Sequence, residues 1–111
     1  MAFRIVDNVL FSFDDTEGIK DIHIPEGVKE FGILSFMNCT NLENVYIPDS
    51  VTYMGLTPFI GCNSLKSISV PNNLSISSEG IPEDCRIIER NSDNMNKYKM
   101  DIFNRVYKDN N

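Results

Sequence analysis

The feature that most constrains this chain is a period. Ile22-His23-Ile24-Pro25 returns 23 residues later as Val45-Tyr46-Ile47-Pro48, and again as Ile68-Ser69-Val70-Pro71. The same offset carries Val28 to Val51 to Leu74, Gly32 to Gly55, Phe36 to Phe59, Leu42 to Leu65, and Cys39 to Cys62 to Cys85. It runs without insertions. A fixed period of this length belongs to repeat architectures, in which each unit buries its apolar face only against its neighbours. Two repeats are full, 22–44 and 45–67. A third starts at Ile68 and decays, with Ser77-Ser78 where Phe31-Gly32 and Met54-Gly55 stood, and Pro82 in place of the phenylalanine. Upstream, Phe13 and Ile19 mark half a repeat, with Thr16 at the cysteine position.

Each position has a physical reading. Ile22 and Ile24 alternate with His23, the mark of a half-buried strand. Pro25 ends that strand because it lacks a ladder donor. Gly32 and Gly55 are expected to turn tight corners with positive φ. Phe36, Cys39 and Leu42 recur every three residues, which fits a 3₁₀ or short α turn with one face inward. Phe3, Ile5, Val9, Leu10 and Phe11 predict an N-terminal strand or hairpin that caps the stack. From Ser92 the repeat stops. Met95, Tyr98, Ile102 and Val106 stand at helical spacing, and Ser92 or Asp93 can serve as N-cap. They predict an amphipathic helix over 93–108, either closing the open end or meeting a second chain. The expected organisation is a solenoid over 1–91 and a capping helix within 92–111.

The pattern resembles the BspA-like leucine-rich repeats, whose unit reads I-x-I-P-x-x-V-x-x-I-G-x-x-A-F-x-x-C-x-x-L. The match runs through Ile22-His23-Ile24-Pro25, Val28, Phe31-Gly32, Ser35-Phe36, Cys39 and Leu42. It continues through Ile47-Pro48, Val51, Met54-Gly55, Phe59, Gly61-Cys62 and Leu65. Asn8-Val9-Leu10-Phe11-Ser12 is similar to the family's lead-in, so the resemblance covers about residues 8–90. It departs at Ser35 and Pro58, where alanine is usual. The resemblance implies a right-handed leucine-rich repeat solenoid of short parallel β-strands with irregular or 3₁₀ turns. It further implies protein contacts, often at cell surfaces, and no catalytic residues.

Composition narrows the partner. The 111 residues carry 16 acidic and 10 basic side chains, a net charge of −6, which repels phosphate backbones and anionic lipid. Nucleic acid is therefore not expected as a partner, and neither is membrane insertion. No apolar run approaches the roughly 20 residues that cross a bilayer. Residues 1–10 lack the apolar core of a signal peptide, so the chain as given reads as cytoplasmic, with surface display as the alternative that the resemblance suggests.

Candidate chemistry is sparse. His23 alternates with core positions and should face solvent. Parallel stacking sets His23, Tyr46 and Ser69 side by side at about 4.8 Å, with Asp21, Asn44 and Ser67 as a second row. These six are the expected partner-binding residues, with Tyr46 as the aromatic anchor. Cys39, Cys62 and Cys85 lack the close pairing that zinc needs and read as a buried ladder of reduced thiols. Inward thiols and an outward histidine cannot form a nucleophilic pair. Asp14, Asp15 and Glu17, and likewise Glu83 and Asp84, read as solvated turns and not as calcium or acid–base sites. Asn38-Cys39-Thr40 and Asn73-Leu74-Ser75 match the glycosylation sequon, a motif common by chance. The expected function is a non-catalytic protein-interaction module with no cofactor or metal. Its alternative is a structural, self-assembling repeat that forms homo-oligomers through its ends or its C-terminal helix.

Overall fold

A computed structural model describes residues 2–14, 17–72 and 74–90 and the strand Lys97–Tyr98. It is a β-solenoid of about three turns with parallel strands, as the period requires.

The chain opens with a hairpin. β1 (Ala2–Val6) and β2 (Val9–Asp14) pair antiparallel around Asp7 and Asn8, both at positive φ. Two consecutive left-handed residues suit the twist of a tight hairpin, and Asp and Asn tolerate that region well. Each of the first two coils then contributes two short strands, one to each of two sheets, and the third contributes to one sheet only. β3 (Asp21–His23), β5 (Asn44–Tyr46), β7 (Ser67–Val70) and β8 (Arg86–Glu89) stack in parallel. β4 (Glu30–Phe31) and β6 (Tyr53–Met54) continue the parallel ladder that β2 begins. This second sheet is not evident from the sequence, because a two-residue strand is too short to show alternation.

Inward positions are those the alternation picked out. Ile22, Val45 and Ile68 are buried between exposed or half-buried neighbours. The proline that ends each strand also starts a turn: the carbonyls of Pro25, Pro48 and Pro71 accept bonds from the amides of Val28, Val51 and Leu74 at 3.4, 3.2 and 3.3 Å. Phe36, Cys39 and Leu42 are linked the same way. The Cys39 amide donates to Phe36 at 3.2 Å and the Leu42 amide to Cys39 at 3.1 Å. These are successive three-residue turns, so each third side chain returns to the core. An aromatic column runs through the stack from Phe3 to Phe13, Phe36 and Phe59, with centroid separations of 5.1, 5.5 and 5.2 Å. Such pairs add roughly 0.5–1.5 kcal/mol each beyond area burial. In the third coil Pro82 takes the phenylalanine position, and the column ends.

Three expectations need correction or qualification. Gly32 and Gly55 are not at positive φ. A Cβ on Gly55 would stand 2.9 Å from the Gly32 carbonyl carbon and 3.0 Å from the Ile33 nitrogen. These glycines let successive coils touch backbone to backbone. The left-handed corners fall instead at Leu34, Thr57 and Gly80, and at Asn38 and Gly61. Second, the offset is not constant. Ser67 pairs with Arg86 and Ile68 with Ile87, 19 residues on. Cys85 runs straight into β8, so the turn that Leu42 and Leu65 make in earlier coils has no counterpart. Third, the helix over 93–108 lies outside the described residues except for Lys97–Tyr98. Those two form β9, antiparallel to β8. The outer edge of β8 would otherwise present unpaired amides and carbonyls, and β9 pairs with it there.

The three cysteines are buried and in no disulfide. The Cys62 thiol donates to the Phe36 carbonyl at 3.0 Å. A side-chain hydrogen bond with Cys39 pulls the Cys62 pKa below the usual thiol value, against the opposing effect of burial. Cys85 sits one residue before its strand and leaves that register, its sulfur 3.8 Å from the Arg86 carbonyl oxygen.

Candidate functional site

The parallel register brings all six expected residues together. Asp21 pairs with Asn44 and Asn44 with Ser67; His23 pairs with Tyr46 and Tyr46 with Ser69. Because Ile22, Val45 and Ile68 point inward between them, both rows stand on the outer face. They line one shallow, open recess of about 360 Å³ whose floor includes Ile22 and Val45.

The first row is a hydrogen-bonded ladder. The Asn44 amide donates to the Asp21 carboxylate at 2.7 Å, and the Ser67 hydroxyl donates to the Asn44 carbonyl oxygen at 2.7 Å. An amide can do both at once because it carries a donor and an acceptor at its tip. The chain of bonds fixes three rotamers and leaves a formal negative charge at the Asp21 end. The same row continues by register to Arg86, which is exposed. The ladder thus runs from an acidic end to a basic one.

The second row is aromatic. The His23 and Tyr46 rings lie 4.3 Å apart and tilted by 43°. On the side toward the third coil, the Arg90 guanidinium sits 4.1 Å from the Tyr46 ring centroid, a cation–π contact. Arg90 is a residue of this face that the 23-residue pattern does not bring to it. Its Nη1 donates to the Ser69 hydroxyl at 2.7 Å, and its Nη2 reaches Asp49 at 2.9 Å and the Ile47 carbonyl at 2.5 Å. Its side chain is only 12% exposed although Asp49 is 84% exposed. Tyr46 is half-buried, with the guanidinium over its ring. His23, at the other end, is exposed and 3.4 Å from Glu26. Its ring meets a tilted neighbour and a surface carboxylate, while the cysteine thiols are enclosed in the core.

Among the described residues, no group of three or more His, Cys, Asp and Glu side chains is placed to hold a metal ion. No described helix is long and apolar enough to cross a membrane. The face presents hydrogen-bonded donors and acceptors in one row, and ring faces with a delocalised cation in the other.

The model of the BspA type leucine rich repeat region (6 copies) matches residues 9–108. That span runs past residue 90, where the sequence reading ended the repeat. Neither the curated proteins nor the solved structures contain a match. Leucine-rich repeats of this type generally serve protein interaction or structural roles, are generally not enzymes and are often found at cell surfaces. With nearly the whole chain inside the matched region, and a 23-residue parallel ladder beneath it, the chain belongs to the BspA-type leucine-rich repeat family.

Proposed function

We propose that this chain is a non-catalytic protein-interaction module that binds through the outer face of β3, β5 and β7. The observation that carries the reading is the convergence of Asp21, His23, Asn44, Tyr46, Ser67 and Ser69 on one recess, with Asp21, Asn44 and Ser67 bonded in a row and Tyr46 and Ser69 held by Arg90. Pre-set side chains lose little entropy on binding, so contact energy goes into affinity. Tyr46 supplies the anchor and the polar row sets the partner's register. Residues 1–91 carry this face, and 92–111 close the end of the stack, with Lys97–Tyr98 paired on β8 as the support for that division.

The test is a paired capture from host lysate and culture surface. One bait is the wild-type chain; the other carries His23→Glu, Tyr46→Ala and Ser69→Glu, with both folds checked by circular dichroism. A protein retained by the first and lost from the second is the expected result. Identical catches from two folded baits would remove the sheet face as the binding surface.

A second reading, self-assembly, is favoured by one observation. β3 is the first strand of its sheet, with no described strand before it. An open edge can accept a strand from another copy. Light scattering on the whole chain and on one lacking 92–111 separates the two ends. Mass that rises with concentration in both points to β3, whereas mass that falls on truncation points to the C-terminal segment.

A further inference from the structure

The turns that follow β4 and β6 in the first two coils carry large apolar residues in solvent. Ile33 is 62% exposed, Met37 50%, Leu56 65%, Ile60 40% and Leu34 38%. They are not scattered. The Leu34 amide donates to the Leu56 carbonyl at 3.4 Å, Phe36 to Pro58 at 2.8 Å and Asn38 to Ile60 at 2.8 Å. This ladder keeps the 23-residue register, so Ile33 stands over Leu56 and Met37 over Ile60. Isolated exposed apolar residues are ordinary, but a contiguous patch on a soluble domain marks a contact surface. Burying it against itself is not open to this chain, because the neighbouring positions Phe31, Phe36 and Phe59 already fill the core.

The charge around the patch says what fits. Neither 30–38 nor 53–61 contains a lysine or arginine. At one end Asp14 is exposed directly after Phe13, whose amide is bonded to Ser35 at 3.0 Å. At the other, a Cβ on Gly80 would lie 3.5 Å from the Ile60 Cα, so the exposed Glu79 beside Gly80 borders Ile60. The patch is therefore two coils wide, apolar in the middle and acidic at both ends. A second copy of this chain, with its net charge of −6, would bring acid to acid.

We propose that the turn face built on Ile33, Leu34, Met37, Leu56 and Ile60 is a docking site for an amphipathic helix of a partner protein, with basic residues flanking its apolar stripe. Leucine-like side chains spaced a helical turn apart meet the two apolar columns. Flanking lysines or arginines meet Asp14 and Glu79, which set orientation and on-rate more than affinity. The site shares no residue with the recess around Tyr46 and does not depend on the sheet face.

Fluorescence anisotropy with the whole chain tests this. The probe is a labelled Leu/Lys peptide of about 18 residues, roughly five turns with leucine on one face. A Leu/Glu peptide of the same apolar pattern is the control. Saturable binding of the first is expected, roughly tenfold tighter than the second and weakened by salt. Leu56→Ser with Ile60→Ser, both exposed and tolerable to the fold, should weaken it at least tenfold. Tyr46→Ala should leave it unchanged, which keeps this site's failure distinct from that of the sheet face. No saturable binding overturns the proposal, and so does equal binding of the two peptides or equal binding by the Leu56/Ile60 variant. A dimer in sedimentation that the same variant dissolves would also overturn it, by naming a second copy as the occupant.

Discussion

The first two coils and the third solve the same problem with different amounts of chain. From β3 to β5 and from β5 to β7 every rung is 23 residues long, and Phe36 and Phe59 stack within 17° of parallel. From β7 to β8 the rung is 19. The third coil has no strand at Ser77-Ser78, no phenylalanine at 82 and no turn between Cys85 and β8. Yet Ile87 is as fully buried as Ile68. What the fold holds constant is the parallel ladder and the inward residue at its centre; the length of turn between rungs is adjustable. The shortening has a consequence at the site. It puts Arg90 level with Pro71, from where its side chain reaches back across Ser69 to Tyr46.

The sharpest way to break the regular coils is to separate them by one methyl group. Gly55→Ala places a Cβ within 3.0 Å of three backbone atoms of the first coil, and backbone in a ladder cannot step aside. We expect a loss of roughly 3 kcal/mol, the upper part of the range for overpacking. Gly32→Ala meets its nearest atom, the Leu10 carbonyl oxygen, at 3.4 Å and should cost well under half as much. Urea unfolding of the two variants measures the difference. Equal losses would mean that the glycines serve backbone freedom, as the sequence reading supposed, and not close approach.

That supposition shows where sequence legibility ended. A glycine that recurs every 23 residues fits a corner or a contact equally well, and only the neighbouring coil decides. Strand positions were legible because alternation around Ile22, Val45 and Ile68 depends on local burial alone. The phenylalanine column was legible because identical positions stack. The left-handed corners at Leu34 and Thr57 were not, since neither residue type announces positive φ. The two rows of the candidate site followed from period and alternation together. Arg90 did not, because the 23-residue offset that carries Cys62 to Cys85 conceals the 19-residue offset that carries Ile68 to Ile87.

The third coil's closure depends on that arginine. Arg90→Ala removes three charge-assisted bonds and the cation–π contact, and leaves the Ile47 carbonyl to find water. A destabilisation of about 2 kcal/mol is expected, within the range for hydrogen bonds to charged groups. Arg90→Lys should recover less than half of it, because an ammonium cannot fork between Ser69 and Asp49 while lying over the ring. The coupling to Tyr46 is read from a double-mutant cycle with Tyr46→Ala by thermal unfolding. A coupling energy near zero would mean that Arg90 closes the coil without holding the anchor.

The smallest effect concerns the corner that the three coils share. Leu34, Thr57 and Gly80 occupy equivalent points at φ of 57°, 40° and 80°. Only the third coil has the residue that adopts this region without strain. A β-branched side chain fits it worst, so Thr57 bears the greatest cost, roughly 1–2 kcal/mol. Thr57→Gly relieves that strain but gives up about 0.5–1 kcal/mol of chain entropy. The net expectation is a gain of about 0.5 kcal/mol, seen as a small rise in melting temperature. Gly80→Ala should move the other way by about 1 kcal/mol, since its Cβ would meet Ile60 only at ordinary contact distance and the conformational cost acts alone. Opposite signs at equivalent corners would establish that the irregular coil, which has lost its phenylalanine and a turn, has kept the one residue that best suits the bend. Loss of stability in both variants would mean that the Thr57 side chain contributes more at its corner than the bend costs.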